Sequence, residues 1–173
     1  MAIGKLADGS AAATSAAALA LRLEQDTAPD VRWACARTLA LLGNESIEQH
    51  LDAITSRCDD TDWSVRRAAL QALSQLELAE AAQAVAVVRR LSDDPQAEVR
   101  LQAVLACAAF GPAAANFTAE ALAKAATEDT DCSVRLEAAK TLLSLDARPG
   151  TALGAFEDDG WGDDELGEDL LPM

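Results

Sequence analysis

Residues 60–76 read DTDWSVRRAALQALSQL. Counted from Val65, Ala69, Leu73 and Leu76 follow after four, eight and eleven positions. That spacing places all four on one stripe of a helix. The stretch returns three times, as DTAPDVRWACARTLALLG from Asp26, DPQAEVRLQAVLACAAFG from Asp94 and DTDCSVRLEAAKTLLSL from Asp129. The Val-Arg pairs at 31–32, 65–66, 99–100 and 134–135 lie 34, 34 and 35 residues apart, and an Asp stands six residues before each Arg. A period of that length is the signature of a repeat architecture.

Each copy carries the same stripe: Val31, Cys35, Leu39 and Leu42; Val99, Ala103, Cys107 and Phe110; Val134, Ala138, Leu142 and Leu145. The small second residue lets a neighbouring helix approach closely. Thr61, Asp94 and Thr130 are the expected N-caps, with Pro95 in the first turn. Gly43 and Gly111 are expected to end two of the helices. A second helix is expected ahead of each stripe, over about 10–24, 45–58, 79–92 and 113–127. Leu51, Ile54 and Cys58 would face inward in one of these, and Val85, Val88 and Leu91 in another. A lone helical hairpin cannot bury its own stripe, so the hairpins must stack.

Composition agrees with an all-α fold. Half of the 173 residues are apolar, with three Phe, three Trp and no Tyr. The apolar half is dominated by Ala and Leu, which favour helix over strand. The chain has 14 basic and 29 acidic residues, a net charge of −15. Such a charge argues against nucleic acid or an anionic membrane as partner, since both are polyanions. No apolar run is long enough to span a bilayer. The four cysteines stand 23, 49 and 25 residues apart, with no CxxC or His/Cys cluster. Neither a metal nor a redox site is expected, and free thiols point to a cytoplasmic setting. His50 is the only histidine, and it reads as a surface or inter-helix polar residue. The Asp59, Asp60 and Asp62 cluster reads as capping at a repeat turn. No catalytic set, phosphate loop or cofactor motif is present.

The Asp, the Val-Arg six residues on, the following Ala and the Leu pair resemble the HEAT repeat family over residues 10–145. The resemblance implies an all-α, α-α superhelix, an armadillo-like helical solenoid. Its repeats would run over 10–43, 44–77, 78–111 and 112–145, after a lead-in at 1–9. It further implies a structural ladder in which Asp26, Asp60, Asp94 and Asp129 meet Arg32, Arg66, Arg100 and Arg135 between successive repeats. Arg suits that role because its planar fork matches a carboxylate. Deoxyhypusine hydroxylases resemble this pattern but carry His-Glu pairs, which are missing after the Val-Arg pairs here.

The resemblance also implies that the second helices line a concave face. Opposite the core stripe, two residues after each Val, stand Trp33, Arg67, Leu101 and Leu136. Six after stand Arg37, Gln71, Leu105 and Lys140, and nine after stand Ala40, Ser74, Ala108 and Leu143. Trp and Arg anchor many interfaces. Trp33, Arg37, Arg67, Leu101, Leu105, Leu136 and Lys140 are therefore the expected partner-binding residues. The competing expectation is that superhelical twist turns some of them into core between repeats.

Residues 146–173 hold nine acids and one Arg, a net of −8. They read as a disordered acidic tail. Within it, Trp161 and the leucines 166, 170 and 171 resemble a linear docking motif, which would act in trans or plug the site near Trp33. The expected function is a non-catalytic scaffold or adaptor that binds a protein or peptide. The alternatives are a bilin-lyase-like enzyme or chaperone subunit, and a piece of a larger array. The Ala/Leu-rich run from Ala11 to Leu23 lacks the polar outer face of a capping repeat, which makes self-association through a terminal hairpin a further expectation.

Overall fold

A computed structural model describes residues 3–76 and 81–146 of the chain. The expected acidic tail lies outside the described residues. The helices are α1 (Ile3–Gln25), α2 (Pro29–Leu42), α3 (Asn44–Gln49), α4 (Leu51–Ser56), α5 (Trp63–Leu73), α6 (Ala81–Asp93), α7 (Ala97–Phe110), α8 (Ala115–Glu128) and α9 (Cys132–Asp146). Short 3-10 turns at Arg57–Asp59 and Gly111–Ala114 extend α4 and precede α8.

The helices form two layers. α2, α5, α7 and α9 pack on one another in chain order, while α1, α3–α4, α6 and α8 form the second layer against them. The core between the layers holds fully buried Leu23, Leu39, Ile47, Ile54, Leu70, Leu73, Leu91, Phe110 and Leu122. Each such side chain contributes about 1.5–3 kcal/mol by leaving water. Cys35, Cys58 and Cys107 are buried free thiols, and Cys132 is exposed. Burial pushes the Cys58 and Cys107 thiols up to about 12.

Several local expectations need correction. α1 begins at Ile3 rather than near residue 10; Gly4 and Gly9 weaken a helix but do not stop one as proline would. The expected helix over 45–58 is broken at His50, where φ is −124° and ψ 29°. The N-caps fall later than Thr61 and Thr130. Asp62 accepts the Ser64 N–H at 2.9 Å, and Asp131 accepts the Ser133 N–H at 2.8 Å. The cause is the preceding ladder aspartate. Asp60 accepts the N–H of Asp62, and Asp129 that of Asp131, so each threonine is drawn into an Asx turn. Asp94 likewise accepts the Gln96 N–H, which leaves Pro95 in the bend and Gln96 at the start of α7. The proline at a first helical turn is Pro29 instead.

Two stripe positions also differ. Leu42 is exposed at 41% while its counterparts Leu76, Phe110 and Leu145 are buried. In α6 the inward residues are Ala84, Val87 and Leu91, and Val85 is exposed. Gly43 and Gly111 do end α2 and α7, with φ of +99° and +65°.

Candidate interaction face

The loops before the second helices are joined by a row of ion pairs. The Arg32 guanidinium donates from Nε and Nη2 to the two carboxylate oxygens of Asp60, at 2.8 and 2.7 Å. Arg66 grips Asp94 in the same bidentate way at 2.6 and 2.9 Å, and Arg100 grips Asp129 at 2.8 Å for both bonds. The third nitrogen, Nη1, turns back to its own loop. It donates to the carbonyls of Asp26, Asp60 and Asp94 respectively, at 3.0, 3.0 and 2.8 Å. Each arginine therefore ties its own repeat turn to the next one.

The electrostatics follow from that geometry. Burial alone would raise the Asp60 carboxyl, but the Arg32 fork and the Asp62 N–H outweigh it and hold it below its ordinary value. Asp94 is held down in the same balance by Arg66 and the Gln96 N–H. For Asp129 the Arg100 bonds are the largest influence, and they lower it against burial. Arg32, Arg66 and Arg100 are each raised, chiefly by the bonds to their aspartates.

The two outer members stand differently. The Asp26 carboxylate pairs with Arg22 at 3.1 Å and accepts the Ala28 N–H. Arg135 donates Nη1 to the carbonyls of Asp129 and Thr130 at 2.7 and 3.2 Å. Among the described residues no carboxylate meets its fork.

The side of the second helices turned away from the core is distinct from these rungs. Among the described residues, six of the nine exposed large apolar side chains stand on α2, α5, α7 and α9; Leu41, Trp63, Leu105, Leu136 and Leu143 lie off the core stripe, and Leu42 ends it. That concentration singles out this layer as the one with the most exposed apolar side chains. Of the expected partner-binding residues, Leu105 and Leu136 are exposed at 40% and 57%. Trp33 and Leu101 are half-buried and pack against the core, and Ala40 is buried. The Arg37 guanidinium sits 5.4 Å from the centre of the Trp33 ring. Lys140 is exposed and paired with Glu137 at 3.2 Å. Trp161 lies outside the described residues.

One residue of this surface escaped the sequence reading. Trp63 is exposed and holds Arg67 at 5.6 Å from its ring centre. It precedes Val65 by two residues and so falls outside the positions counted after each Val. The signal that could have found it is spacing: Trp33/Arg37 and Trp63/Arg67 are both i, i+4 pairs, which meet on a helix surface. A hollow of about 500 Å³ lies in the other layer, between α1 and α3–α4, with His50 in its lining.

Residues 16–88 match the family model for HEAT repeats. Among solved structures, the chain resembles a crystal structure of an engineered protein from the Northeast Structural Genomics Consortium. The two share 24% identity at a TM-score of 0.57, over 73% of this chain and 61% of that one. The likeness is thus one of fold, over about three fifths of that protein's length. No curated protein matches the chain. Residues 16–88 are thus HEAT repeats by direct match, and the same hairpin and bidentate rung recur beyond them at Arg100 and Asp129.

Proposed function

We propose that the chain is a non-catalytic scaffold or adaptor, and that it binds a protein or peptide across the exposed side of α2, α5, α7 and α9. HEAT repeats are generally protein-interaction scaffolds. The observation that carries the reading here is the gathering of exposed leucines on one helix layer, beside two Arg-on-Trp stacks. In each pair the Arg guanidinium lies over the Trp ring, at 5.6 Å for Arg67 on Trp63 and 5.4 Å for Arg37 on Trp33. They offer rigid aromatic area at little cost in side-chain freedom. Leu105 and Leu136 occupy related positions on α7 and α9, so an extended apolar ligand would meet one repeat after another. A partner with apolar side chains and some acidic groups fits this surface.

The test uses the intact chain as bait, beside a variant carrying Leu105→Ser, Leu136→Ser and Trp63→Ala. All three residues are exposed, so the fold should survive, as circular dichroism can check. The proposal expects the retained proteins to drop at least tenfold with the variant. Retention of every partner by the variant would sink it.

A further inference from the structure

Among the described residues, the last arginine of the ladder, Arg135, has no aspartate from a following turn. Comparison of equivalent positions shows which surface that leaves open. Five residues after the repeat Val, Ala36, Leu70 and Val104 are buried, whereas Ala139 is only half-buried. Eight residues after it, Leu39, Leu73 and Cys107 are buried, whereas Leu142 is half-buried. α2, α5 and α7 each carry a following second helix packed against them, and among the described residues α9 does not. On α9 Ala139 and Leu142 make an end face with Leu143 and the Arg135 fork, and Leu143 is exposed at 70%. Arg135 keeps the bonds to its own loop. The carboxylate that Arg32, Arg66 and Arg100 each receive from the next turn has no counterpart among the described residues.

The chain carries an occupant in register. In the three rungs the aspartate stands 28, 28 and 29 residues after its arginine. The same steps from Arg135 fall on Asp163 and Asp164. We propose that one of these two aspartates takes the fork of Arg135 as a fourth rung. Trp161, Leu166 and Leu170 beside them then cover the leucines of the α9 end face. The segment 147–173 thus caps the array in cis, without forming a full fifth hairpin.

Reach and charge both favour this occupant. Returning from Asp146 to the level of Arg135 covers about 16 Å along α9, and the 16 residues between Asp146 and Asp163 span that easily. Tethering also supplies a high effective concentration. A second copy of the chain is the rival, since it would present Asp26 head to tail. Asp26, however, is already engaged by Arg22 and the Ala28 N–H. Two chains of net charge −15 also repel each other.

The experiment follows the arginine Nε–H signals of the intact chain by two-dimensional ¹H–¹⁵N NMR. A bidentate carboxylate slows exchange of that proton, so Arg32, Arg66 and Arg100 serve as internal standards and report the fold. The proposal expects a fourth slow signal from Arg135. It should vanish in D163N/D164N and persist in D158N/D159N, which removes the same charge from the same segment. Absence of the fourth signal, or equal loss in both variants, overturns the proposal. So does a signal that grows with protein concentration and is lost in D26N, which would assign the end face to a second copy.

Discussion

At the scale of single residues, the rungs are where a small change should cost most. Arg66 and Asp94 are both nearly sealed from solvent, with side-chain exposures of 8% and 0%. Removing one partner leaves the other charged, buried and alone, which costs about 3–5 kcal/mol. Asp94→Ala and Arg66→Met should each destabilise by about that much. The pair Arg66→Met with Asp94→Leu should cost far less than the sum, because no orphan charge remains. Urea unfolding of the four proteins measures this, and additive effects would contradict it. The rungs also set an acid limit. Asp60, Asp94 and Asp129 have folded-state values below the ordinary 3.8. Their contribution is therefore complete above the unfolded value, and it is lost as pH falls below about 4 through the folded values. Melting temperature should drop over that range, more steeply in the native chain than in the Met/Leu double variant. Because the double substitution removes one positive and one negative charge, the comparison cancels the general change in net charge as the other carboxylates protonate.

At the scale of elements, the hairpins depend on how their helices stop and start. Gly43 separates α2 from α3 with φ +99° and ψ 176°, a region that side chains with a Cβ avoid. A Cβ built there meets nothing within 4 Å. Gly43→Ala should therefore destabilise by about 1–3 kcal/mol through backbone strain alone. Thermal unfolding gives the magnitude, and a crystal structure of the variant should show α2 and α3 undisplaced. The helix starts are governed differently. The ladder aspartates organise the turn first, and the caps at Asp62 and Asp131 follow from it. An element boundary here is thus set by a contact between repeats, which local propensity does not contain.

At the scale of the whole molecule, stability should be graded along the array. α5 and α7 are each flanked by second helices on both sides, whereas α2 has such a neighbour only in α5. In a stacked array, stability is a sum over units and their interfaces. Amide hydrogen exchange should therefore be slowest in α5 and α7 and faster in α1 and α2. Uniform rates would instead mean that the array opens as a single cooperative unit. The half-buried Val31 and the exposed Leu42 belong to the same gradient, since among the described residues no earlier second helix packs on α2.

The sequence by itself determined the fold class and the period, because both repeat with the chain and need no partner to be recognised. It also determined that Gly43 and Gly111 end helices. Which arginine meets which aspartate was decided only by stacking, since the pairing runs from one repeat to the next. Likewise, Ala-Val-Ala-Val-Val at 84–88 offers two candidate stripes. Only the position of α7 and α8 made Ala84 and Val87 the inward ones. The exposure of the expected outer-face residues was legible in part. Leu105 and Leu136 are exposed, while Trp33, Leu101 and Ala40 are drawn toward the core. A helical wheel gives the direction of a side chain but not where the neighbouring helix lies, and burial depends on both.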